Sequence, residues 1–218
     1  MTSDPKPKIA LLPDTLDSRL LVDLTSHATD LSEASHTLTL ALDAGEDSEL
    51  WSPLTMHAVT AYIRPFIHSN VRERLDRMSQ FPGIPTQLIP VHETIRTYRN
   101  TTVAHSQSDL AMPVALASLD EQGAVLRVMG VTLLHPMPLV LAERTAELVQ
   151  TIGAIVETMT RPVTAKLHEQ LRGVSPEVVA GWKNPEMFAK LDTDFTGTGS
   201  RTKAPRFTSY WRVDRPKS

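Results

Sequence analysis

The chain has 218 residues, 41% of them hydrophobic and 22% charged, with a formal net charge of −3. This is the composition of a soluble globular protein with one main core, and the absence of cysteine excludes disulfides, thiolate metal sites and cysteine nucleophiles and fits a cytoplasmic location. No run approaches the ~20 apolar residues of a membrane span and "MTSDPKPKIALLPD" is too weakly apolar for a secretory signal, so no membrane partner is expected.

After a leader to about Pro13, "DTLDSRLLVDLTSHATDLSEASHTLTLALDAG" carries leucines at helical spacing and ends at Gly45. Ser52 and Pro53 are read as the cap and first turn of a second helix, which "PLTMHAVTAYIRPFIHSNVRERLDRMSQF" continues with a bend or interruption near Pro65. "PGIP" at 82–85 is a loop, and a helix of roughly four turns starts after Pro90, turning Val91, Ile95, Tyr98, Thr102 and Val103 toward its neighbours. Apolar, β-branched runs on either side of "DEQG" predict a hairpin over about 114–134. "PLVLAERTAELVQTIGAIVETMTRPVTAKLHEQLRG" reads as a long helix with a kink before Pro162 and a stop at Gly173. Ser175-Pro176-Glu177 caps a short last helix. The expected organisation is one mainly α domain over 14–192 with one hairpin, then a flexible tail over 193–218. That tail is basic: 201–218 holds Arg201, Lys203, Arg206, Arg212, Arg215 and Lys217 against Asp214, a net +5 that leaves −8 on the rest. Phe207, Tyr210 and Trp211 are mixed in, a composition that suits either a phosphate backbone with stacked bases or a solubilising tail.

Several chemistries are set aside. No H-E-x-x-H zinc motif and no P-loop occurs, and "TGTGS" lies in the tail rather than between a strand and a helix. Asp14, Asp17, Asp23 and Asp30 are read as the solvated face of the first helix, and Arg72, Arg74 and Arg77, interleaved with Glu73 and Asp76, as local ion pairs on an exposed helix. No metal and no cofactor is expected.

The segment that carries chemistry is "IRTYRNTTVAHSQSD", 95–109. On an ideal helix Arg99, Thr102 and His105 form an i, i+3, i+6 row climbing ~9 Å, with Arg99 and His105 ~120° apart around the axis. Arg96 and His92 continue a polar stripe below Arg99, opposite Ile95 and Tyr98, so two arginines can face one anion. A histidine near a helix C-terminus gives and takes protons near neutrality, and arginine holds phosphate, which together suit phosphodiester cleavage. On spacing alone the simpler reading has Arg99 paired with a surface acid and His105 capping the helix.

"YRNTTVAHS" resembles the Arg-Asn-x-x-x-x-His signature of the HEPN superfamily (higher eukaryotes and prokaryotes nucleotide-binding domains), its abortive-infection branches especially. The similarity spans about 50–160, of which 98–106 is specific. The resemblance implies a HEPN-like helical bundle with the hairpin as an insertion, pairing as a two-fold homodimer near the motif helices. It also implies a metal-independent endoribonuclease: Arg99 would hold the phosphate, Asn100 orient the site and His105 move the proton. Arg96 and His92, outside the signature, and Tyr98 are assigned to substrate contact. RNA is the expected substrate and a small antitoxin or other protein a possible partner, in phage defence or a toxin–antitoxin pair. The competing reading is a non-catalytic HEPN-like dimer module that binds nucleotide or protein.

Overall fold

The computed structural model describes residues 9–103, 108–183 and 185. Among them are five α-helices and one antiparallel hairpin, in the order α1 (Leu16–Ala44), α2 (Trp51–Ile63), α3 (Ile89–Tyr98), β1 (Ala111–Leu119), β2 (Val125–Leu134), α4 (Leu139–Arg172) and α5 (Pro176–Ala180). The mainly α reading holds at this level. No described helix is long and apolar enough to cross a membrane. The tail over 193–218, with its basic and aromatic residues, lies outside the described residues.

Local signals account for most of the boundaries. Thr15 and Ser18 exchange side-chain and backbone bonds, Thr15 N–H to Ser18 Oγ at 2.8 Å and Ser18 N–H to Thr15 Oγ1 at 3.1 Å, a reciprocal cap at the start of α1. Gly45, at φ 85°, takes the left-handed conformation that stops the helix. Ser175 Oγ caps α5 by accepting from Val178 N–H, as expected. The second helix departs from the sequence reading at both ends. It begins at Trp51 without a side-chain cap, so Ser52 lies inside it, and it ends at Ile63. Beyond a tight turn over Arg64–Phe66, the segment to residue 81 holds only one further short turn, Leu75–Arg77. The reason is Pro65, which lacks the N–H that would continue the i→i−4 ladder, although Arg64 before it keeps helical dihedrals. In α4 the expected kink is not a break, because the helix runs on through Pro162. β1 starts at Ala111 and includes Pro113.

The chain divides into two compact units, one drawn from Met1–His27, Ile67–Phe81 and Val156–Ser218, the other from Ala28–Phe66 and Pro82–Ile155. In the first, the start of α1 and the end of α4 are joined by Lys166 Nζ to Asp17 Oδ1 at 2.9 Å. Buried His27 bonds the Glu73 carbonyl through Nε2 at 3.0 Å, and Arg72 Nη1 donates to Ser26 Oγ at 2.6 Å. Arg74 does pair locally with Asp76, but in a loop rather than on a helix. The acids of α1 are not one solvated face. Asp23 and Asp30 are only 3% and 8% exposed, Asp23 accepting from Glu73 N–H and Asp30 from Arg64.

The second unit has its core at Trp51, Tyr62, Ile63, Leu88, Ile95, Leu148 and Ile152, all buried. Trp51 Nε1 donates to the Met137 carbonyl at 2.7 Å, tying α2 to the chain that enters α4. On its rim Arg64 Nη1 bonds Glu33 Oε2 at 2.7 Å, and His57 Nε2 meets Glu33 Oε1 at 2.7 Å. The Arg64 hydrogen bond holds the Glu33 carboxyl below its usual range despite partial burial. A carboxyl depressed in the folded state stabilises above its unfolded pKa and loses that contribution as pH falls through the folded value. Acid titration followed by circular dichroism should therefore show wild type losing more stability than Glu33→Gln below about pH 4.5. Parallel curves would show that the pair contributes nothing.

Candidate functional site

The segment that carries the motif begins with Pro90 in the first turn of α3, where a missing N–H costs nothing. Val91, Ile95 and Tyr98 are buried along one side, as their spacing predicts, and Thr102 continues that side. The helix does not continue as α through the motif. It ends at Tyr98, and Arg99–Val103 forms a π-helical turn, whose bonds reach i→i+5. Such turns are wider than α-helix and advance less around the axis per residue, so the ideal-helix row from Arg99 and its ~120° angle do not hold here. Thr101 Oγ1 bonds the Thr97 carbonyl at 2.9 Å inside this turn. Thr102 Oγ1 meets Ser108 Oγ at 2.6 Å, so the chain is clasped on both sides of residues 104–107. His105 itself lies outside the described residues.

Arg99 is half-buried and Asn100 exposed. The Arg99 N–H closes α3 on the carbonyls of Arg96 and Ile95, and Nη1 donates to the neutral Oδ1 of Asn100 at 3.2 Å. Arg96 is exposed one turn earlier. Among the described residues neither arginine has a carboxylate partner, as is also true of Arg77, Arg127 and Arg144, while Arg19, Arg64, Arg74, Arg161 and Arg172 each have one. The simpler reading, in which Arg99 is held by a surface acid, thus finds no such acid among the described residues.

His92 does not share the stripe with Arg96 and Arg99. It is 6% exposed, with Nδ1 2.8 Å from the Tyr62 hydroxyl and its ring edge-on to Phe66 at 4.8 Å between centroids. Four residues along an α-helix turn only about 40°, so the helix itself would keep His92 beside Arg96; the difference is made by two aromatic partners, Tyr62 and Phe66, which cover His92 and leave Arg96 exposed. Burial, followed by the Glu93 charge, pushes the Tyr62 phenol above its usual range, so the hydroxyl stays protonated as a hydrogen-bond partner. This histidine is a packed core group and not a substrate contact. Tyr98 is 7% exposed and burial raises its phenol as well; its hydroxyl has no hydrogen-bond partner among the described residues. It borders a cavity of about 260 Å³ with Leu110, His135, Met137 and Leu141, and a more open groove of about 450 Å³ with Thr94, Thr97 and Thr101. A planar apolar group fits such a lining better than a charged one.

The sequence reading missed the Thr102–Ser108 clasp, which no periodicity signals because Ser108 follows the helical run. It also missed the partners of His92, Tyr62 of α2 thirty residues away in sequence and Phe66 of the turn that follows α2. Compared with protein-family models, curated proteins and solved structures, the chain finds no match, so its function is read from the residues and their arrangement.

Proposed function

We propose that the protein is a metal-independent endoribonuclease acting through Arg99, Asn100 and His105. The observation that carries this reading is Arg99: it is half-buried at the end of α3, bonded to the neutral Asn100 amide, with no carboxylate among the described residues to neutralise it. A cation held in that way is suited to a phosphodiester, with Asn100 fixing the plane of the guanidinium fork. The signature shared with HEPN ribonucleases supplies His105 as the proton-transfer group. In the proposed reaction His105 takes the proton of the ribose 2′-hydroxyl, the 2′ oxygen bonds to phosphorus, and the bond to the 5′ oxygen breaks. That oxygen leaves with a proton from solvent or the imidazolium. The products are a 2′,3′-cyclic phosphate and a 5′-hydroxyl, and Arg99 stabilises the charge that develops on the phosphoryl oxygens between them. Arg96 extends the positive surface, and the groove beside Tyr98 offers an apolar wall for a base. A role in defence or a toxin–antitoxin pair, with the chain as a homodimer, belongs to the same proposal.

The apolar lining of that groove also favours a second reading, a non-catalytic module that binds a partner there. Incubating purified protein with a mixed RNA pool in EDTA separates the two. Cleavage with cyclic-phosphate ends is expected. Intact RNA would point to the binding module, and a magnesium requirement would discard the arginine–histidine mechanism.

A further inference from the structure

β1 and β2 form a sheet of two strands, too few to be stable in water without further strands or a packed face. Eight large apolar residues of these strands are between 44% and 72% exposed, Val128 the most. Side chains alternate across the ladder, so the pairs Met112–Leu133, Leu116–Met129 and Val114–Val131 share one apolar face. The opposite face carries Ala115, Ala117 and Gly130 together with the exposed Val128, Thr132 and Leu134. Exposed apolar residues thus lie on both faces of the hairpin and along β2, more than the scattered single residues of an ordinary surface.

The ladder also tells the two edges apart. His135 N–H donates to the Leu110 carbonyl, so the pairs in register with it, Met112–Leu133 and Val114–Val131, exchange backbone bonds within the hairpin. The residues between them point their backbone groups outward. On β1 that set includes Pro113, which has no N–H and blocks the edge. On β2 it is Val128, Gly130, Thr132 and Leu134, all exposed and all able to donate and accept.

We propose that β2 pairs antiparallel with β2 of a second copy of this chain, making one four-stranded sheet about a two-fold axis at Val131. In this register Val128 bonds Leu134 of the second copy and Gly130 bonds Thr132, each contact made twice, as an isologous interface requires. The only charge in the paired strands is Arg127, which then lies opposite His135 of the other copy at the far end of the ladder, so the two Arg127 side chains do not meet. The two apolar faces join on one side. This pairing is argued from the hairpin alone; the homodimer near the motif helices that goes with the nuclease reading is a different interface.

The absence of native cysteine makes the register testable in the full-length protein. Val131 and its counterpart form a non-hydrogen-bonded pair with Cα atoms about 4.5 Å apart, within disulfide reach, whereas Met112 on the outer strand lies at least ~14 Å from its counterpart. Under mild oxidation Val131→Cys should form a covalent dimer rapidly and Met112→Cys should not. Thr132→Pro removes one outward N–H at the position opposite Pro113 and should halve the sedimenting mass with the circular dichroism unchanged. Equal cross-linking of the two cysteine variants, or a wild-type mass that Thr132→Pro leaves unchanged, would overturn the pairing. So would a monomeric chain that floats with anionic vesicles, which would assign the patch to a lipid surface.

Discussion

Replacing Arg99 by alanine is expected to lower RNA cleavage by ~10²-fold or more, with the fold unchanged. The guanidinium sits at the C-cap of α3, and its one side-chain bond, to Asn100, joins two residues at the protein surface, so its loss opens no cavity in the core. The cost falls on the transition state, where the phosphoryl oxygens gain charge that Arg99 alone of this pair can offset. Arg99→Lys should recover only part of the rate, because an ammonium keeps the charge but not the two-pronged geometry. His105→Ala should fall by a similar factor, the proton transfer having lost its carrier. Cleavage rates on a defined RNA, with melting temperatures measured alongside, check both. Wild-type cleavage by a folded His105→Ala protein would end the assignment, while a loss of folding in Arg99→Ala would show that the arginine has a structural duty.

Replacing Trp51 by alanine should destabilise the protein by ~3–5 kcal/mol, a large share of the ~5–15 kcal/mol that holds a domain folded. Trp51 is 1% exposed and is the largest fully buried side chain among the described residues, and its indole N–H satisfies the Met137 carbonyl. Truncation therefore leaves a cavity and an orphaned acceptor together. Trp51→Phe separates them: most of the ring volume stays, and the unpaired carbonyl costs about 1–3 kcal/mol. Urea unfolding with an unchanged slope reads both losses. A shift of less than ~1 kcal/mol for Trp51→Ala would show that water or a rearranged neighbour fills the site.

Much of the helical layout was legible because it depends on near neighbours. The stripe Leu24, Leu31, Leu38 that α1 buries and the stripe Leu148, Ile152, Val156 that α4 buries follow from the 3.6-residue period and nothing more distant. The hairpin was legible for the same reason, since Asp120 Oδ1 accepts from Gln122 and Ala124 N–H and Gly123 takes φ 86°, all within the turn itself. The segment after Pro65 was not. Its residues have acceptable helical propensity, but Glu73 gives its backbone N–H and carbonyl to Asp23 and His27, fifty and forty-six positions away, and those bonds hold a loop.

The motif divides the same way. That Ile95 and Tyr98 share the buried side of one helix was contained in the sequence by itself, because spacing along that helix decides it; that the α-helix stops at Tyr98 and gives way to a π-helical turn at Arg99 was not. Whether a polar residue on that helix meets solvent was decided by the tertiary structure: Tyr62 and Phe66, brought against α3 from another part of the chain, take His92 into the core. Local pattern determines which residues share an element and a face; which faces are then covered depends on partners that only the folded chain brings within reach.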